Sequence, residues 1–174
     1  MNKLKLVAGI AVVVIVFVLF TMTNSQGNKN IEDVLSKQNI ELNDYSESLE
    51  TDASVPEIEE VKQEVLSLSE PESIKVITLL KLSITQQEKM IEDEKEELGR
   101  IPTSDYCRKL IAAEKTFSLQ ENKLELLELL NERIDEYNNK NSDQEIEFDE
   151  KVIIKEREIT EKQKNAVELL DSLC

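Results

Sequence analysis

Residues 106–137 read YCRKLIAAEKTFSLQENKLELLELLNERIDEY, and this stretch decides the fold of the chain. Apolar and amide side chains recur in it at alternating steps of four and three residues, and neither proline nor glycine interrupts it. That spacing is typical of one face of an amphipathic or coiled-coil helix. The stretch therefore predicts a helix about 50 Å long. Its seam comprises Tyr106, Leu110, Ala113, Phe117, Gln120, Leu124, Leu127 and Ile134.

Two further helices are predicted to pack against this one. The central helix, placed over residues 104–137, carries a second apolar edge between residues 126 and 130. A doubled edge favours contact with more than one neighbouring helix. Apolar side chains at helical spacing predict those neighbours over residues 72–98 and 144–173. Their seams comprise Ile77, Leu80, Ile84, Gln87, Ile91 and Leu98 in the first, and Ile146, Phe148, Val152, Ile153, Ile159, Val167, Leu170 and Leu173 in the second.

The connections between these helices, residues 99–103 and 138–143, are short and rich in turn-forming residues. Short connections make consecutive helices antiparallel neighbours. The sequence therefore predicts an antiparallel three-helix bundle, built like a coiled-coil hairpin with an added helix, over residues 69–174. The middle of the last helix, residues 155–164, is mostly polar and is expected to pack least well.

The composition favours an all-α fold. The chain of 174 residues has only three glycines and three prolines, and 33% of its residues are charged. A β-sandwich or barrel needs a turn about every ten residues, and so few turn formers cannot supply them. Long helices are therefore expected throughout.

The N-terminal region predicts a membrane anchor. Residues 6–20 read LVAGIAVVVIVFVLF, and a helix over residues 4–22 spans about 28 Å, close to the hydrocarbon core of a bilayer. Lys3 and Lys5 precede it, so the positive-inside rule places the N-terminus in the cytoplasm. The prediction is a cytoplasmic stub over residues 1–5, a transmembrane signal anchor over residues 6–23 and a polar linker over residues 24–30.

A cleaved signal peptide is the alternative interpretation of the same segment. Its apolar region lies at the long end of the usual range, and an Ala-x-Ala cleavage site does not follow it. The cleaved form predicts secretion, whereas the uncleaved form predicts a single-pass membrane protein. Both interpretations place the bulk of the chain outside the cytoplasm.

Residues 31–68 predict two shorter amphipathic helical segments. They form either a stalk or a fourth layer on the bundle. The first segment carries a narrow seam that Gln38 interrupts, and a narrow seam suits a helix–helix contact with a partner protein or a second copy of the chain. The predicted partner seam comprises Ile31, Leu35, Leu42, Tyr45 and Leu49.

Charge and composition exclude several classes of function. The formal net charge is −16 and histidine does not occur in the sequence. Nucleic acid is excluded as a partner because phosphate binding needs clustered Lys and Arg. Histidine is the commonest metal ligand and general base, and no glycine-rich nucleotide loop is found. The sequence therefore predicts no catalytic residue, metal site or cofactor, and the acidic run at residues 92–97 is interpreted as a solvated helix face.

Cys107 and Cys174 are predicted to form a disulfide. If the last turn is centred between Lys140 and Asn141, the two cysteines lie equally far from it and at the same height in an antiparallel hairpin. Export supplies the oxidising environment in which such bonds persist, and the cysteine count is even. The bond would close a long loop and stabilise the fold by about 4 kcal/mol in the chain-entropy model. The alternatives are two unpaired thiols or an intermolecular bond.

These features together predict a non-enzymatic, membrane-anchored extracytoplasmic protein. Its expected role is that of a cell-envelope interaction or scaffolding module that presents a helical bundle to a protein partner. An extracytoplasmic sensory or ligand-binding helical domain is the alternative. Only residues 1–5 would remain in the cytoplasm to transmit a signal, and this weighs against the sensory role.

Overall fold

A computed structural model describes residues 30–40, 48–49, 51–143 and 145–174. Over those ranges the chain forms five α-helices and no β-strand, so the all-α prediction is confirmed there. The helices are α1 (Ile31–Ser36), α2 (Val55–Leu66), α3 (Glu72–Arg100), α4 (Tyr106–Asn138) and α5 (Lys151–Leu173).

The predicted membrane segment, residues 6–23, lies outside the described residues, as do the predicted stub and most of the linker. Within the described ranges no helix is both long enough and apolar enough to cross a bilayer. Asn30, the last residue of the linker, caps α1 by accepting a hydrogen bond from the Asp33 N–H at 2.8 Å.

The long helix α4 is the centre of the bundle, with α3 on one side and α5 on the other. Lys115 of α4 pairs with Glu94 of α3, and Lys123, later in α4, pairs with Glu88, earlier in α3. The two helices are therefore antiparallel. Helices α3 and α5 make almost no contact with each other, and an open groove remains between them. The apolar core lies near the connection from α4 to α5 and comprises Ile77, Leu80, Ile84, Leu126, Leu127, Leu130, Ile134, Tyr137 and Ile153.

The N-terminal segments form a layer on the first half of α3. Residues 77–85 of α3 are consequently buried on every side, and the layer has its own core. Thr85 ties the layer down, because its hydroxyl accepts a hydrogen bond from the Leu49 N–H at 2.8 Å. Of the two predicted arrangements, the described residues adopt the packed layer. Its core comprises Ile31, Val34, Leu35, Ile40, Leu49, Ala53, Ile58, Val61, Val65, Leu68, Leu79 and Leu82.

The first N-terminal helix is shorter than its seam predicts. It ends at Ser36, and Asn39 adopts a left-handed backbone conformation with φ 51°. The Ile40 N–H then donates to the Leu35 carbonyl at 3.0 Å, a Schellman-type closure that asparagine tolerates well. A seam pattern alone does not reveal such a stop.

Helix α5 begins at Lys151, seven residues after the predicted start at residue 144. Residues 145–149 adopt no helix because the side chain of Asn138 pairs with the backbone of Ile146. The Asn138 Nδ2 donates to the Ile146 carbonyl and the Ile146 N–H donates to the Asn138 Oδ1, both at 2.9 Å. Ile146 and Phe148 then contact the apolar core with the two-residue alternation of an extended chain.

Candidate functional site

The structure contains the predicted disulfide between Cys107 at the start of α4 and Cys174 after the end of α5. Their Cα atoms are 4.8 Å apart, and both residues are exposed. About 47 Å of helix separates Cys107 from Asn138, whereas α5 rises only about 35 Å to Cys174. The extended residues 145–149 run about 13 Å and make up the difference. The pairing is thus as predicted, but the hairpin is not symmetric about residues 140 and 141.

Large apolar side chains are exposed around this disulfide. Ile111 on α4 is 68% exposed and Leu169 on α5 is 61% exposed, and Tyr106 and Leu173 are also exposed. Tyr106 and Ile111 lie in the first two turns of α4, and Leu169 and Leu173 lie in the last two turns of α5. The disulfide brings these two helix ends together. Ile154, which is 56% exposed, lies near the opposite end of α5. We call the surface formed by Tyr106, Ile111, Leu169 and Leu173 the apolar end.

A layer of buried charge crosses the bundle between the apolar core and the disulfide. Lys123 of α4 lies 2.9 Å from Glu88 of α3 and 3.3 Å from Glu156 of α5. Only 14% of the Lys123 side chain and 6% of the Glu156 side chain is exposed. Burial by itself lowers the pKa of Lys123, but the hydrogen bonds and charges of the two carboxylates outweigh it and raise the pKa. Lys123 is therefore held as an ammonium ion.

Buried amides and hydroxyls continue this layer towards the disulfide. Gln163 of α5 donates from Nε2 to Oε1 of the buried Gln120 at 3.4 Å. The buried Thr116 hydroxyl donates to the Ala112 carbonyl, one turn earlier on α4, at 2.9 Å. The inward face of α4 is therefore mixed over these turns, with Thr116 and Gln120 buried beside Ala112, Ala113 and Leu119.

The groove between α3 and α5 opens directly over this layer. Its volume is about 360 Å³, and α4 forms its floor. Carboxylates, ammonium groups and two isoleucines alternate around it. The lining residues are Glu88, Ile91, Glu92, Lys95, Gln120, Lys123, Glu156 and Ile159.

The acidic run at residues 92–97 is mostly the solvated face that the sequence predicts, with one exception. Glu94 is buried and forms an ion pair with Lys115 of α4, and the hydrogen bond to Glu94 raises the pKa of Lys115. Glu96 pairs with Arg100 at 2.7 Å on the exposed surface. In the part of the chain that the structure describes, three or more acidic or cysteine side chains nowhere converge as ligands for a metal ion.

Three members of the predicted partner seam, Ile31, Leu35 and Leu49, are buried in the core of the N-terminal layer. Leu42 and Tyr45 lie outside the described residues. The three buried side chains contact α2 and α3 of their own chain, and they are not exposed as a continuous strip. A docking role for this seam remains a prediction.

Sequence reasoning missed the Lys123–Glu88–Glu156 layer, although the pattern held a signal for it. Gln87 and Gln120 already occupy seam positions in the predicted helices. Glu156 lies three residues beyond Ile153, at the spacing of its seam, whereas Lys123 lies one residue before the seam position Leu124. A charged residue at a seam position indicates a buried ion pair, since only a paired charge is tolerated there.

No protein-family model matches this chain, and comparison with curated proteins and with solved structures gives no significant match.

Proposed function

We propose that this protein is a non-enzymatic interaction module, tethered to a membrane by residues 6–23 and held outside the cytoplasm, that docks a partner protein on its apolar end. The observation that carries the proposal is the exposure of Ile111 and Leu169 beside the disulfide. Clustered exposed apolar side chains on a soluble domain are typical of an interaction site.

The position of the apolar end supports this role. The N-terminal layer, which follows the proposed tether, packs on the first half of α3. That half lies beside residues 126–137 of α4, and about 35 Å of helix separates Leu130 from Cys107. The apolar end therefore lies at the far end of the bundle from the layer that joins the tether.

Charge indicates what the partner is. The whole chain carries a net charge of −16, whereas residues 104–115 and 164–174, which carry the apolar end, together hold four basic and four acidic side chains. The adjacent end of α3, residues 92–100, is acidic, so the partner expected here presents apolar side chains with basic groups beside them. Two copies of the chain would instead bring two large negative charges together, and high net charge opposes such self-association. The proposed occupant is therefore a different protein.

Cross-linking from native membranes tests the proposal. The doubly substituted chain Ile111→Glu with Leu169→Glu should lose a cross-linked partner that the wild-type chain captures. Ile154→Glu, which places the same charge on an exposed isoleucine at the other end of α5, should retain it. Equal capture by both variants, or a cross-linked dimer of this chain alone, would refute docking at the apolar end.

Topology has its own test. Lys3 and Lys5 before the apolar run support an N-terminus in the cytoplasm. Protease added to intact cells should then remove a C-terminal tag, and an N-terminal tag should be protected. Protection of the C-terminal tag until lysis would contradict the proposed orientation.

A further inference from the structure

The groove between α3 and α5 contains a buried carboxylate oxygen that the protein itself does not satisfy. Glu156 presents Oε2 to Lys123, while its Oε1 has no hydrogen-bond partner. Leaving a buried charged acceptor without a donor is unfavourable, and in folded proteins such atoms are usually satisfied by some group. Glu156 lines the groove, so a molecule bound there lies against this side chain, and a small rotation of the carboxylate would turn Oε1 towards it.

The charges around the groove favour a cation. Glu88, Glu92 and Glu156 contribute three negative charges, and Lys95 and Lys123 contribute two positive charges. The single buried ammonium of Lys123 is shared between two of those carboxylates. The groove thus retains one uncompensated negative charge in a chain whose net charge is −16. Such a field attracts small cations and repels anions.

The available atoms favour an ammonium group over a metal ion. The unpaired Glu156 Oε1 needs a hydrogen-bond donor, and an alkylammonium supplies three. Calcium requires six or more oxygen ligands around one point, and no acidic cluster of that kind is found among the described residues.

The apolar part of the lining indicates the rest of the ligand. Ile91 on α3 and Ile159 on α5 line the groove on either side. They offer methyl groups to a short hydrocarbon chain, whereas a bare inorganic cation would leave them without a contact. The match is to a molecule with an ammonium head and a few methylene groups.

We propose that the groove between α3 and α5 binds a small alkylamine, whose ammonium group donates to Glu156 Oε1 and whose methylene groups contact Ile91 and Ile159. This site lies two to four helical turns from the apolar end and does not depend on partner docking there. It gives the protein a binding activity for free amines in addition to the proposed contact with a protein.

Titration calorimetry on the detergent-solubilised full chain tests this proposal, with 1,4-diaminobutane as the probe. We expect saturable binding to the wild type and none to 1,4-butanediol, which has the same length without charge. Glu156→Gln should weaken diamine binding at least tenfold, because it removes the charge and keeps the shape. Glu158→Gln, an exposed neighbour on α5, should bind like the wild type.

A second variant keeps the test informative if Glu156→Gln fails to fold. Ile159→Phe fills the groove from a half-buried position without touching the carboxylate, and it should also weaken binding at least tenfold. Wild-type affinity in both variants would overturn the proposal, as would the lack of saturable binding to the wild type. Binding of the diol with the affinity of the diamine would also overturn it, since the charge would then contribute nothing.

Discussion

The two halves of α4 turn the same face towards α3 and α5, but the chemistry of that face differs between them. After Leu126 the inward positions are apolar and fully buried, as at Leu127, Leu130 and Ile134. Before Leu126 the same positions hold the buried Thr116 and Gln120 and the largely buried Lys123, and Leu119 is buried beside them. The seam therefore passes from an apolar core to a polar layer within one uninterrupted helix.

This difference separates the half that holds most of the apolar core from the half that holds the proposed binding surfaces. Burial of apolar surface is the main stabilising contribution to folding, and it is concentrated in the half of the bundle that also carries the N-terminal layer. In the polar half, α5 has no buried side chain after Glu156, and the disulfide holds its end. The open groove and the apolar end both lie in the polar half, which we expect to be the less stable one, and binding surfaces are commonly drawn from such regions.

Removing the disulfide is the strongest way to separate the two halves. Cys107→Ser combined with Cys174→Ser should lower the free energy of unfolding by up to about 4 kcal/mol, because the loop it closes is long. Urea unfolding measures the loss. Hydrogen exchange should show that residues 157–173 lose protection while residues 127–137 keep it. Equal loss in both segments would mean that the halves unfold as one unit.

A matched pair of leucine truncations compares the halves directly. Leu130→Ala removes a fully buried side chain and should cost about 3 kcal/mol, within the range for core leucines. Leu170→Ala removes a half-buried side chain near the disulfide and should cost about 1 kcal/mol, since less apolar area returns to water. Thermal or urea unfolding of the two variants with the disulfide intact gives the comparison. Similar costs would contradict a core confined to one half.

The sequence predicts these two halves unequally, and the reason is physical. The bounds of α4 were predicted within two residues because a long stretch with helical spacing and no helix breaker forms one continuous helix. The start of α5 was missed because the side chain of Asn138, not a local propensity, holds Ile146 in an extended segment. A side-chain contact over eight residues leaves no mark in helical spacing.

The site was harder to predict than the fold. The two cysteines could be paired from the hairpin arrangement, although an asymmetric connection brings them together. The spacing of Glu156 hinted at a buried position, but Lys123 could not be distinguished from an ordinary surface residue in a chain that is one-third charged. The packing of three helices shows that both side chains face inward and that one carboxylate oxygen lacks a partner. Of the exposed side chains of the apolar end, Tyr106 and Leu173 were assigned to predicted seams, and Ile111 and Leu169 were assigned no role.

Replacing the amides of the polar half tests whether its polarity limits stability. Gln120→Leu combined with Gln163→Leu removes both partners of one long hydrogen bond and fills the same space with apolar groups. We expect a gain of about 1 kcal/mol in the free energy of unfolding, because replacing both partners leaves no buried polar group unsatisfied. Each single variant should be less stable than the double variant, since it leaves the other amide without its hydrogen-bond partner. A double variant less stable than the wild type would show that this hydrogen bond is needed to align α4 and α5.

The smallest expected effect comes from an ion pair at the surface between the same two helices. Arg157 of α5 donates from Nη2 to Oε1 of Glu128 on α4 at 2.6 Å, and a second bond, from Nε, reaches the same oxygen at 3.1 Å. The side chains are 60% and 43% exposed, so water competes for both groups and salt screens them. Arg157→Ala should therefore cost at most about 0.5 kcal/mol in urea unfolding, and the cost should fall as salt is added. A loss several times larger would mean that surface charge, rather than the apolar core and the disulfide, attaches α5 to the bundle.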